Sequence, residues 1–237
     1  MTVKGVLFDL DNTLVDFMRM KRLASEEAAR AMIGAGADFG VDAATAGKRL
    51  FEHYLNHGIE SDDAFLSFLN KHNESRLSAG IAKQEAILAA GIQAYLRAKD
   101  VLLTPYPGVR RTLVELTRRG LKLGVVTDAP RLKGWQRLQA LGIAEFFDVV
   151  ITYHDSNAKK PDGRPFLMAV EGLGLRPFEV VMVGDWVEKD VRGARDAGLK
   201  TAWAQYGGRT PDGEHGADAT LASITELGGI LEAWRTS

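Results

Sequence analysis

Apolar residues recur along this chain with two different periods. Lys4 to Leu10 is a short apolar run of the kind a buried strand makes. From Phe17 to about Asp100 the spacing turns helical and predicts helices over residues 18–35, 42–57, 61–72 and 80–99, with no strand among them. Leu50, Phe51, Tyr54 and Leu55 share one helical face, and Ser61, Asp62 and Asp63 form a start signal ahead of Phe65, Leu66, Phe68 and Leu69. After Pro105 and Pro107 the two periods alternate. A helix over 108–119 has Val109, Leu113 and Leu116 on one face and Gly120 as its stop. Strands follow over 121–126, 147–152, 180–183 and 201–204. Between and after them come helices over 132–141, 165–173, 187–197 and 222–234. Residues 207–218, rich in Gly, Asp and charge, read as a surface loop.

Strands alternating with helices predict an α/β fold, a parallel sheet with helices on both faces. The helical block after the first strand is far too long for an ordinary crossover. It reads as an inserted all-helical subdomain at 17–103, with residues 1–16 and 104–237 forming the sheet-bearing domain.

Bulk composition narrows the function classes. A net charge of −1 gives no drive toward nucleic acid or anionic membrane. With no cysteine, disulfides, thiolate metal sites and a cysteine nucleophile are excluded. The first apolar run is broken by Asp9, so no signal peptide is expected, and no stretch approaches the ~20 apolar residues of a membrane span. The expectation is a cytoplasmic protein, monomer or homodimer.

Four polar clusters fall at the predicted carboxyl ends of strands, where open α/β sheets bind ligands. Asp9 and Asp11, separated by one residue, project to one side of a strand end. Two carboxylates forced together call for a hard cation such as Mg²⁺ or a proton. Thr127 and Asp128 end the second strand, where a hydroxyl and backbone N–H groups suit a phosphoryl oxygen, although both residue types are equally at home in a plain turn. Lys160, followed by Pro161, sits on a restrained backbone that can aim an ammonium at negative charge; a solvated basic loop is the bland alternative. Gly184 and Asp185 end the fourth strand, with Asp190 five residues on; Asp185 could equally be a helix cap. Glu188 and Lys189 are expected on the surface. The five histidines show no metal-ligand spacing.

In this order and spacing the clusters resemble the four motifs of the haloacid dehalogenase (HAD) superfamily, phosphatase type. Phe8-Asp9-Leu10-Asp11-Asn12-Thr13-Leu14 resembles the first motif, Thr127 the second, Lys160 the third, and Gly184-Asp185 with Asp190 the fourth. Val126-Thr127-Asp128 with Lys133 and Trp135 is similar to an archaeal-type branch whose members are often named glyceraldehyde 3-phosphate phosphatases. Gly163 stands where the family commonly has proline, and Ala129-Pro130 where it often has Gly or Asn. The resemblance implies a Rossmann-like core with a helical cap inserted after the first strand. It implies Asp9 as nucleophile and Asp11 as acid and then base. Thr127, Asp128, Lys160 and Asp9 would meet the phosphoryl group, Asp9, Asp11 (through its carbonyl) and Asp185 would hold Mg²⁺, and Gly184 and Asp190 would support them. The substrate would be a small phosphorylated metabolite, chosen by cap residues that face the site; Asp16, Phe17, Arg19, Lys21 and Tyr54 are candidates, with packing or solvated surface the plainer reading of each, and Trp186 could line the pocket or equally belong to the core. Rival readings are a 2-haloacid dehalogenase, a phosphomutase, and a non-catalytic binding protein on the same fold. Asp11 argues against the first, because displacing halide from carbon needs no acid for the leaving group.

Overall fold

The computed structural model describes residues 2–73, 80–211 and 213–236, which fall into two compact units, 1–16 with 104–237 and 17–103. The first unit is built on six strands, β1 (Gly5–Phe8), β2 (Lys122–Val126), β3 (Val149–Ile151), β4 (Val180–Gly184), β5 (Lys200–Ala204) and β6 (Ala219–Leu221). All pair in parallel, in the order β3-β2-β1-β4-β5-β6. The order runs outward in both directions from β1. Right-handed crossovers therefore place helices on opposite faces, and the reversal of order sits at β1. Phe8 lies opposite Val125 on one side and Val183 on the other, so the chain leaves all three central strands at the same edge. This is the predicted parallel α/β architecture.

Every residue of β1 and β4 is buried, as a sheet covered on both faces demands. One face packs Leu7, Val126 and Met182 against Phe166, Ala169, Val170 and Leu173. The last four belong to a helix over Arg164–Gly172 and its cap residue.

The second unit is helical throughout its described residues: α1 (Phe17–Gly34), α2 (Ala43–His57), α3 (Ala64–His72) and α4 (Ile81–Leu102). Helix α1 packs against α2 and α4. Of the apolar positions read from the sequence, Leu50, Tyr54, Phe65, Phe68 and Leu69 are buried, joined by Met20, Ala24 and Ile87, whereas Leu55 and Leu66 are exposed. Gly47 permits the close approach of α2 to α1, for a Cβ there would lie 2.5 Å from Glu26 Cα. Helix α2 is capped by Asp42, whose carboxylate accepts from Thr45 N–H at 2.7 Å. His53 and His57 stack at 3.8 Å between centroids, and His53 Nε2 lies 2.6 Å from Ser67 Oγ, a structural use of these histidines.

The remaining helices are α5 (Val109–Arg118), α6 (Arg131–Ala140), α7 (Tyr153–Ser156), α8 (Arg164–Gly172), α9 (Arg192–Asp196) and α10 (Leu227–Thr236). Gly120 follows α5 at φ 75°, the left-handed stop expected of it. Three elements differ from the sequence reading. Strand β6, beside β5 at the sheet's edge, is three residues long and too short to leave a period. Helix α7 is a single turn. The helix expected over 187–197 is split into a π-helical turn at Val187–Val191 and α9. No described helix is long and apolar enough to cross a membrane.

Candidate active site

The carboxyl edge of the sheet gathers the polar residues that the sequence scatters over 180 positions. Asp9 follows β1 directly, and its N–H still donates to Val183 C=O at 2.9 Å, so the nucleophile candidate rides on the ladder itself. Beyond it the chain curls back: Asn12 adopts φ 60° and donates to Val15 C=O at 2.7 Å. Asn tolerates that left-handed conformation better than most residues.

Strand β4 delivers Asp185. The π turn that follows folds Asp190 back beneath it, with Asp190 N–H donating to Trp186 C=O at 2.6 Å and Trp186 N–H donating to Asp190 Oδ2 at 3.0 Å. Such π turns recur at functional sites. Gly184 is required here, because a Cβ would fall 2.4 Å from the Asp190 side chain. Trp203 Nε1–H fixes the Asp185 carbonyl from β5 at 3.0 Å. Asp185 caps no helix.

Lys160 ties the strands together. Its Nζ lies 2.6 Å from Asp9 Oδ1, 2.6 Å from Asp190 Oδ1 and 3.2 Å from Val126 C=O, and the residue is only 4% exposed. Its backbone N–H donates to Asp128 Oδ1 at 2.9 Å, while Asp128 Oδ2 accepts from Lys189 Nζ at 2.7 Å. Asp128 Oδ1 thus anchors the Lys160 loop, while Oδ2 pairs with Lys189 on the turn after β4. Thr127 is buried at the end of β2; its N–H donates to Ile151 C=O at 2.9 Å and its Oγ1 accepts from Ala129 N–H at 3.2 Å.

Asp9, Asp185 and Asp190 each offer an oxygen within 4.8 Å of the others, all buried. Burial, followed by the neighbouring charges of Asp9 and Asp190, pushes the Asp185 carboxyl up to about 8. Burial likewise raises Asp190, to about 6, although Lys160 opposes it. Burial would drive the Lys160 ammonium down, but Asp190, Asp9 and Asp128 outweigh it and hold the group above its ordinary range. Lys160 and, at 4.0 Å from Asp185 Oδ2, Arg209 set two cations against three carboxylates, and the surplus of negative charge invites a hard cation.

Asp11 stands apart from this triad. Its Oδ2 accepts from Arg137 Nη1 at 2.8 Å. Arg137 lies on α6 and is 5% exposed; the sequence reading passed over it, though a charge in the buried stripe Gly134, Arg137, Leu138 was the available signal. Arg209 was missed as well. It stacks 3.4 Å from the Trp186 ring centroid and reaches to 4.0 Å of Asp185 Oδ2. Lys189, expected on the surface, is partly buried between Asp128 and the Trp186 ring, and Glu188 is also only partly exposed. Trp186 thus lies beside the carboxylates, sandwiched with cations. Gly207 completes the wall, since a Cβ there would fall 2.4 Å from Asp185 Cβ and 2.5 Å from Asn12 C=O.

A six-stranded parallel sheet carrying a lysine-bridged carboxylate triad at its carboxyl edge defines a recognisable class. Residues 3–198 match the family model of the haloacid dehalogenase-like hydrolases, and the chain belongs to that family and is a hydrolase. It is 35% identical over 233 residues to a glyceraldehyde 3-phosphate phosphatase of Methanocaldococcus jannaschii, covering 97% of each chain. It is 30% identical over 246 residues to a phosphoserine phosphatase of Thermus thermophilus, covering 95% of this chain and 98% of that one. Among solved structures, a HAD phosphatase from Thermococcus onnurineus superposes with a TM-score of 0.64 at 29% identity, over 97% of this chain and 98% of the other. A 2-haloacid dehalogenase from Pseudomonas syringae shares the fold, with a TM-score of 0.64 at 23% identity, over 98% of this chain and all of that one, 100%.

Proposed function

We propose that this chain is a Mg²⁺-dependent phosphatase that hydrolyses a small phosphorylated metabolite through an aspartyl-phosphate on Asp9. The observation that carries the reading is Lys160 Nζ placed 2.6 Å from both Asp9 and Asp190, inside a buried set of three carboxylates. Two full-length relatives, each at least 30% identical, are named phosphatases of small phosphate monoesters. That directs the substrate class to triose phosphates and similar metabolites. The unit at 17–103 corresponds to the family's cap, and the remainder to its core.

The residues fit the metal. The donors are hard, buried oxygens, and burial together with the neighbouring charges of Asp9 and Asp190 raises the Asp185 carboxyl. Asp9, Asp185 and the carbonyl of Asp11 would hold it, with Asp190 beside them. Bound there, Mg²⁺ neutralises phosphoryl charge and so permits approach of the anionic nucleophile.

The chain's own residues supply the rest. An Asp9 oxygen bonds to phosphorus as the ester P–O bond breaks, and Asp11 gives its proton to the departing alkoxide. Asp11, now a carboxylate, takes a proton from water whose oxygen attacks phosphorus. The Asp9–phosphorus bond then breaks, releasing phosphate and restoring both aspartates. Lys160 holds Asp9 in register and, with Thr127, offsets charge on the phosphoryl oxygens.

The test is Mg²⁺-dependent phosphate release from p-nitrophenyl phosphate and a panel of small phosphate esters, with Asp9→Asn as control. Turnover that is abolished by Asp9→Asn supports the reading. Halide release from a 2-haloacid without metal, and none from phosphate esters, refutes it in favour of the dehalogenase.

A further inference from the structure

We propose that Arg137 is a positioning residue for Asp11, holding the carboxyl group that protonates the leaving group. The inference rests on the proposed acid role of Asp11 and goes beyond it. Arg137 stands 126 residues from Asp11 in sequence, yet Nη1 donates to Asp11 Oδ2 at 2.8 Å. The arginine side chain is 5% exposed, against 24% for Asp11.

A guanidinium is not placed in a protein interior without reason. It stays charged at every accessible pH, and burying it is costly unless a carboxylate meets it with good geometry. Arg137 occupies the buried face of α6 between Gly134 and Leu138, where an apolar residue would complete the stripe. Helix α6 begins at Arg131, just beyond Thr127 and Asp128 at the end of β2. The pair therefore links the turn after β1 to the helix after β2. It fixes the acid relative to the two strand ends that present the nucleophile and Thr127.

A positioning role and a plain structural ion pair predict different kinetics. Nitrophenolate is a good leaving group and departs without a proton, whereas an alkoxide requires one. The parameter kcat/KM covers only the steps through departure of the leaving group, so later use of Asp11 as base does not enter it. The experiment compares kcat/KM for p-nitrophenyl phosphate and for a primary alkyl phosphate at saturating Mg²⁺, in the full chain and in Arg137→Met, Arg137→Lys and Asp11→Asn. Asp11→Asn sets the largest selective loss, on the order of 10²-fold or more for the alkyl ester relative to the aryl ester. Arg137→Met should lose about 10-fold to 10²-fold selectively, the scale expected of a misplaced reacting group. Arg137→Lys, which keeps the charge, should recover part of it and serves as the readout if the methionine variant does not fold. Equal losses on both esters, or none, overturn the proposal while the Asp11 role stands. An Asp11→Asn variant without leaving-group dependence overturns both.

Discussion

Replacing Lys160 with methionine removes the cation and keeps much of the volume, and the structure sets the size of the response. Its ammonium meets two carboxylates at 2.6 Å. At an effective dielectric near 20, each contact is worth roughly 6 kcal/mol before desolvation is subtracted. What survives is the cost of leaving buried charge uncompensated, about 3–5 kcal/mol when one partner of a buried pair is removed. For a chain of 237 residues that corresponds to a Tm lower by roughly 6–20 °C. Differential scanning calorimetry in EDTA at neutral pH measures it. Two companions make the argument specific. Mg²⁺ should restore more stability to Lys160→Met than it adds to the parent, because it supplies the positive charge the variant lacks. Lys160→Met with Asp190→Asn should be more stable than the sum of the single losses, by about 1–3 kcal/mol, since the second change removes the orphaned charge. A Tm for Lys160→Met within ~2 °C of the parent would refute the reasoning, since that is less than one kcal/mol at this size. A double variant no better than additive would refute it as well.

The raised carboxyls at Asp185 and Asp190, near 8 and 6, give a pH prediction. Groups whose folded values lie above the ordinary 3.8 bind more protons in the folded state, so their contribution is complete at low pH and is lost as pH rises through about 6 and then 8. The Tm of metal-free protein should therefore fall between pH 5 and 8, and Mg²⁺ should recover it most at the upper end; a Tm that rises across this window in EDTA contradicts the assignment. Gly207→Ala should cut kcat/KM by about 10-fold or more, since its methyl would fall 2.4 Å from Asp185 Cβ; parent-like kinetics would show that the wall yields. Thr127→Ala should lower kcat on phosphate esters by about 10²-fold, the scale of one lost donor to a transition-state oxygen, and lower Tm by roughly 2–12 °C, because the buried Ala129 N–H loses its acceptor.

What could be read from the sequence followed a physical rule. The strands β1, β2, β4 and β5 showed because a doubly covered sheet needs unbroken apolar runs, which end abruptly where the polar edge begins. Asp9, Thr127, Lys160 and Asp185 were legible for the same reason: each stands just past a run or at a constrained loop. Strand β6 carries Ala, Thr and Leu, which have no period at that length. The π turn was invisible because five residues of it fit a helical pattern. Arg137 and Arg209 were missed because they act through distant partners. A lone arginine on a helix, or in a glycine-rich loop, does not announce the carboxylate it meets. Asp190 was placed near the site by spacing alone, but its contact with Lys160 depends on how that turn folds.

The position of β1 at the middle of the sheet has a consequence for biosynthesis. Gly5–Phe8 leaves the ribosome well before both its neighbours, Lys122–Val126 and Val180–Gly184. At ~5–20 residues per second the nascent strand waits roughly 6–25 s for its first partner and longer for its second. Throughout that interval the carrier of Asp9 is an unpaired apolar segment open to chaperones or to other nascent chains. A chain interrupted before Asp185 and Asp190 lacks two of the three clustered carboxylates, so an abortive product would carry an apolar strand without the lysine-bridged triad that gives the mature edge its charge.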